Sequence, residues 1–192
     1  MNRNSMYKTR LNIILLLVLT VLAAGGCRTK YRKQESSEKN TRADQETLFR
    51  SNQLVVKQIA KSIREKAAIE HWNLTETGTG VFYQVFHGPK KNQSLKILPG
   101  DRVSLTFRLS LFDGRECYSS YSQGPKQFIV EKSEAESGLH ETIQFLHPGD
   151  SALIIIPPYR AFGLTGDGNK IPPGAILVYN IRVDSVIRPR KN

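Results

Sequence analysis

Residues Ile154 to Val183 read I-I-I-P-P-Y-R-A-F-G-L-T-G-D-G-N-K-I-P-P-G-A-I-L-V-Y-N-I-R-V. Two apolar runs, each able to form a buried strand, end on the same Ile-Pro-Pro step, at Ile156 to Pro158 and at Ile171 to Pro173. Proline lacks an N–H and has a fixed φ, so each pair ends a strand ladder and directs the chain outward. Between these two feet lie Phe162, Gly163, Gly166 and Gly168. An aromatic among residues that tolerate unusual backbone angles is what a binding loop on a rigid scaffold requires.

Outward from that loop, the strand pattern continues in both directions. Leu177, Tyr179, Ile181 and Val183 alternate with Val178, Asn180, Arg182 and Asp184. Upstream, Val103, Leu105, Phe107, Leu109 and Leu111 alternate with Ser104, Thr106, Arg108 and Ser110, and Asp113-Gly114 supplies a hairpin turn. Leu139, Ile143 and Leu146 share one helical face, with Ser137 as an N-cap and Pro148-Gly149 as the stop. Half-buried strands with one short helix to cover them predict an α+β fold.

The loop with its two Ile-Pro-Pro steps resembles the end of FKBP-type peptidyl-prolyl isomerases. The resemblance extends to G-V-F-Y-Q-V-F-H-G (Gly80–Gly88), to P-G-D-R-V-S-L-T-F-R-L-S-L-F-D-G-R-E-C-Y-S-S (Pro99–Ser120) and to S-G-L-H-E-T-I-Q-F-L-H-P-G-D (Ser137–Asp150). It implies one module over 78–188, an antiparallel sheet wrapped around one short helix, with the pocket between them. It also implies a pocket. Phe107, Phe162 and Tyr179 fall at the catalytic aromatic positions, and Tyr118, Phe128, Glu136, Leu139 and Ile171 at substrate-binding ones. At Glu136 the family uses the main-chain N–H to receive the substrate carbonyl. Several positions depart from the pattern: Cys117 and Lys126 stand where Phe is usual, Tyr118 where Asp is, Leu139 where Trp is. The implied activity is rotation of X-Pro bonds in polypeptides, which needs neither metal nor cofactor.

The rest of the chain reads as attachments. Arg3, Lys8 and Arg10, then the apolar run Leu11–Ala24 and small residues before Cys27, make a secretory signal over 1–26. L-A-A-G-G-C resembles the lipobox of bacterial lipoproteins and implies acylation of Cys27. The expected location is therefore the bacterial cell envelope, anchored by lipid to a membrane and facing the periplasm. Anchored isomerase lipoproteins associated with gliding motility have a similar architecture. Residues 27–43 are polar and predict a disordered tether. An amphipathic helical extension follows over 44–77, capped by Asp44, with Leu48, Val55, Ile59, Ile63 and Ala67 at helical spacing. Its apolar stripe must pack either on a second copy, giving a homodimer, or on the module itself. A basic tail, 189–192, ends the chain.

Net charge is +11, and removal of the three basic residues within the first 26 leaves +8. The charge flanks the module in Arg28–Arg42 and Arg188–Lys191 without interleaved aromatics, so nucleic acid is not expected as a partner. With Cys27 acylated, Cys117 has no disulfide partner and is either core filler or pocket wall. His71, His87, His140 and His147 stand singly, without metal-ligand spacing.

Overall fold

The computed structural model describes residues 28–87, 95–132 and 135–189. The signal segment, Cys27 and the tail beyond residue 189 lie outside the described residues. The described residues divide into two units at the step from Val56 to Lys57. One helix, α1 (Arg28–Ile69), runs through the boundary.

The beginning of α1 corrects two expectations. The stretch read as a tether over 27–43 is helical from Arg28 onward, and Asp44 is an interior residue rather than a cap. Lys, Arg, Gln and Glu dominate this stretch, and neither Gly nor Pro interrupts residues 28–69. Low hydrophobicity argues against a core but not against a helix. Its end is also earlier than the extension drawn to residue 77. His71 takes φ 56°, and the Trp72 N–H donates to the Ala67 carbonyl at 2.8 Å, a Schellman-type closure on a non-glycine residue. Residues beyond it turn into the short strand β1 (Thr75–Glu76).

Six further strands follow: β2 (Phe82–His87), β3 (Arg102–Leu111), β4 (Glu116–Ser119), β5 (Lys126–Ile129), β6 (Ser151–Ile156) and β7 (Leu177–Ile187). All pair antiparallel in one sheet ordered β1-β2-β6-β7-β3-β4. The long β3 serves two partners on one edge. Arg108 to Ser110 pair with β4, whereas Arg102 to Leu105 pair with β5. Between them the chain leaves the edge through the short helix α2 (Ser120–Gln123). That detour opens a gap in the sheet edge.

Strand alternation assigns the two faces. Val103, Leu105, Phe107, Leu109, Ala152, Ile154, Ile156, Leu177, Tyr179 and Ile181 point to the main core, which α3 (Ser137–Ile143) closes with Leu139 and Ile143. Burying a side chain such as Leu139 or Ile143 contributes about 1.5–3 kcal/mol. Phe82, Leu153, Ile155 and Val178 point the other way and meet Ala60 and Ile63 of α1. Thus the end of the amphipathic stripe docks on its own module. Leu48 and Val55, from the same stripe, are exposed.

Helix α3 sits close to β6 because Gly138 has no side chain: a Cβ there would lie 2.5 Å from Ile156 Cγ2. Ser137 does not cap α3, as the N-cap position belongs to Glu136. The Ser137 hydroxyl instead donates to the Arg160 carbonyl at 3.0 Å, tying the helix to the loop that leaves β6. Opposite, Arg188 clamps the far end of β7 by donating from Nε to Asp101 Oδ1 (2.9 Å) and from Nη2 to Oδ2 (2.7 Å). The result is an α+β fold, an antiparallel sheet curled around a short helix, preceded by an N-terminal helical extension.

Candidate functional site

The loop after β6 is stitched to itself before it meets anything else. Pro157 follows the last residue of β6, and Pro158 begins a single 3-10 turn. The Gly163 N–H donates to the Pro158 carbonyl, and the Gly174 N–H to the Gly163 carbonyl, each at 2.9 Å. Gly166 has φ +68°, and a Cβ there would come within 2.2 Å of the Ile171 carbonyl oxygen. Only glycine fits that crossing. Asp167 closes the tip: its Oδ1 accepts from the Asn169 N–H (2.9 Å) and the Ile171 N–H (2.8 Å). Both Ile-Pro-Pro steps thus end in a loop whose shape is set by its own backbone bonds and the Asp167 carboxylate.

Where this loop faces α3, β5 and the inner side of β3 and β7, a cavity of about 430 Å³ opens. Phe107, Tyr118, Glu136, Phe162 and Tyr179 all line it, together with Lys126. The rings of Phe107 and Tyr179 lie 6.1 Å apart at 50°. Phe162 is half-buried, and comes from the loop rather than the sheet. The Glu136 backbone N–H is given to no acceptor among the described residues and stands at the entrance to α3. A larger groove, about 630 Å³, crosses Thr106, Arg108, Asn180 and Arg182 and does not reach the loop.

Other positions lie elsewhere. Phe128, Leu139 and Ile171 are buried in the main core and do not line the cavity. Phe128 packs edge-on against His140, with ring centroids 5.1 Å apart. Cys117 is also a core residue outside the cavity lining; burial pushes its thiol pKa up, and Sγ lies 3.6 Å from the Lys170 carbonyl oxygen. The alternative between core filler and pocket wall is resolved toward the core.

The cavity floor is polar, which the aromatic pattern did not foretell. Tyr179 donates its hydroxyl to Glu136 Oε1 at 2.7 Å, and Lys126 Nζ donates to Glu136 Oε2 at 2.9 Å and to the Tyr179 hydroxyl at 3.2 Å. The ammonium also lies 5.7 Å from the Tyr179 ring centroid. Burial, then the adjacent Glu136 charge and hydrogen bond, raise the Tyr179 phenol far above its ordinary value, so it stays a donor. The signal for Lys126 was the period of two in β5: Lys126 and Phe128 share a face, so an inward Phe128 carries Lys126 inward.

The wall opposite is tied to the loop. Tyr118 donates its hydroxyl to Asp167 Oδ2, and Lys170 Nζ lies 5.3 Å from the Tyr118 ring centroid. Burial alone raises the Asp167 carboxyl, but the Tyr118 hydroxyl and the Asn169 and Ile171 amides outweigh it and hold the carboxyl below its ordinary range. A carboxylate thus reaches the pocket wall from the loop, although Tyr118 occupies the strand position where the resembling family has its Asp.

The model of the FKBP-type peptidyl-prolyl cis-trans isomerase family matches residues 94–184. FK506-binding protein 2 of Candida glabrata is 30% identical over 102 residues, covering 52% of this chain and 75% of that protein. The chain belongs to the FKBP-type peptidyl-prolyl isomerase family, whose members bind proline-containing substrates. Among its relatives is the FKBP-type peptidyl-prolyl cis-trans isomerase FkpA of Escherichia coli strain K12, 30% identical over 124 residues, with 64% of this chain and 43% of that protein covered. Human FKBP10 is 30% identical over 124 residues, a match to only 20% of its length. The crystal structure of FkpA from Escherichia coli aligns with TM-score 0.59 and 22% identity over 92% of this chain and 82% of that one. This last likeness is one of fold.

Proposed function

We propose that the protein is a peptidyl-prolyl cis-trans isomerase assisting the folding of envelope or secreted proteins. The observation that carries this reading is the convergence of Phe107, Phe162 and Tyr179 on one cavity, beside a Glu136 N–H that has no acceptor among the described residues. Rotation of an X-Pro bond faces a barrier of about 18–20 kcal/mol because amide resonance is lost in the twisted state. Packing against the Phe107, Phe162 and Tyr179 rings withholds water from the imide and so disfavours its resonance-polarised planar form, and a fixed N–H can receive the carbonyl in its twisted position. Neither a nucleophile nor a proton donor is required. In a proline-limited refolding assay the full chain should accelerate the slow phase, and Phe162→Ala should lose that acceleration. Absence of acceleration by the unmodified chain would refute the reading.

A second reading is favoured by the Lys126–Glu136–Tyr179 floor. A polar floor encloses a proline ring less completely than an apolar one, and suits a module that holds proline-containing chains as a chaperone or scaffold without useful turnover. Binding of unfolded chains without acceleration in the same assay would select it.

The proposal extends to location. The charged start, the apolar run and L-A-A-G-G-C ending at Cys27 support export and acylation, and with them a module held at a membrane and facing the periplasm of a bacterial envelope. The similar architecture of gliding-motility isomerase lipoproteins supports a role in assembling cell-surface machinery. The exposed Leu48 and Val55 support homodimerisation through α1. Cys27→Ala should move the protein from the membrane to the soluble fraction, and unchanged fractionation would sink the anchor.

A further inference from the structure

We infer that this pocket selects proline segments flanked by an acidic residue, with Lys126 as the residue that determines the preference. The inference rests on the proline-binding reading above and deepens it. It follows from a count of donors and acceptors around the cavity.

One carboxylate, Glu136, lines the cavity, a second, Asp167, stands behind the lining residue Tyr118, and both are engaged internally. Glu136 accepts from Tyr179 on one oxygen and from Lys126 on the other. Asp167 accepts from two backbone amides on one oxygen and from Tyr118 on the other. The cations differ. An ammonium has three N–H donors, and Lys126 gives one to Glu136 and one to Tyr179, leaving the third without an acceptor among the described residues. Exposure places that donor on the ligand's side: the Lys126 side chain is 24% exposed and the Glu136 side chain 3%. The carboxylate therefore stands behind the ammonium. Lys170, exposed over the Tyr118 ring, adds a second positive group at the rim.

A ligand entering beside Tyr179 thus meets an ammonium with a donor to give, while the Glu136 carboxylate is buried behind that ammonium and Asp167 lies outside the cavity lining. A carboxylate on the residue before or after the proline completes the Lys126 coordination as a charge-assisted hydrogen bond. A lysine in those places meets like charge, and an apolar side chain leaves the third N–H to water.

The test uses the full chain and four short peptides: Leu-Pro, Glu-Pro and Lys-Pro, and Leu-Pro followed by Glu. Both isomerisation and binding are measured for each. A glutamate on at least one side should raise kcat/KM, or the association constant, by about threefold to tenfold over Leu-Pro, mostly through KM, with Lys-Pro lowest. High salt should shrink the ratio. Lys126→Met should abolish it and Lys126→Arg retain it. Since Lys126→Met leaves Glu136 unpaired, the double variant Lys126→Met, Glu136→Gln removes both charges and should abolish the ratio as well. Equal handling of Leu-Pro and both glutamate peptides, or a ratio that survives in the double variant, overturns the inference while leaving an isomerase standing. A glutamate preference in binding without turnover supports the inference and removes the isomerase. Absence of both binding and turnover overturns both.

Discussion

The two faces of the sheet are built from the same strands and put to opposite uses. On the outer face Phe82, Leu153, Ile155 and Val178 are covered by Ala60 and Ile63 of α1, and the groove across Thr106, Arg108, Asn180 and Arg182 is lined by none of these six residues. On the inner face the same β7 presents Tyr179, and the short α3, the detour between β4 and β5 and the proline-framed loop stop short of filling the space above it. The difference lies in the covering element. A long helix can follow a strand over several turns, whereas a seven-residue helix covers only part of a curled sheet. Filled surface serves stability and incompletely filled surface serves ligands, so substitutions on the two faces should separate the two properties.

The largest expected effect is on the filled face. Ile63 is fully buried, and Ile63→Ala should cost about 2–5 kcal/mol in denaturant unfolding, with the cavity it leaves adding to the lost transfer energy. Turnover per folded molecule should stay near that of the parent. If instead activity falls and stability holds, the division between the faces is broken. On the hollow face, Phe162→Ala should reduce refolding acceleration by about tenfold, equivalent to about 1.4 kcal/mol of transition-state stabilisation. Its melting temperature should move little, since Phe162 is only half-buried and belongs to a loop.

The Asp101–Arg188 clamp sharpens the comparison through pH. The Arg188 hydrogen bond is the main influence on the Asp101 carboxyl and, with the Leu98 amide and the Arg188 charge, it outweighs burial and lowers the pKa. A carboxylate with a depressed folded pKa contributes stability in full above its unfolded value, about 3.9, and loses that contribution as pH falls through the folded value. Asp101→Asn should therefore lower the melting temperature at pH 7, and the gap to the parent should close below about pH 4. A gap that persists in acid would assign the effect to packing. The smallest effect belongs to the free part of α1: Leu48→Ser and Val55→Ser should change monomer stability by no more than about 0.5 kcal/mol. Their effect on sedimentation of the full chain tests dimer formation separately.

Legibility in the sequence followed the range of the interaction. The alternation in β3 and β7, the Asp113-Gly114 turn and the proline-glycine loop are written in neighbouring residues, and all are present. The unbroken Ile154–Ile156 run even hinted that both sides of β6 are covered. The first turns of α1 are not legible in composition, because low hydrophobicity excludes a core without excluding a helix. Glu136 was singled out for its backbone; its side chain turns inward because residues 126 and 179, distant in the chain, bring it an ammonium and a phenol.

Sequence alone determined where strands run, where they stop and which side of each is apolar, because those depend on covalent geometry and on residues a few positions apart. Tertiary structure decided which end of the amphipathic helix is buried, that Phe128, Leu139 and Ile171 go to the core, and that a lysine and a glutamate meet beneath the aromatic cavity. Those outcomes depend on desolvation and pairing between distant segments, whose free energy exists only once the segments are packed together.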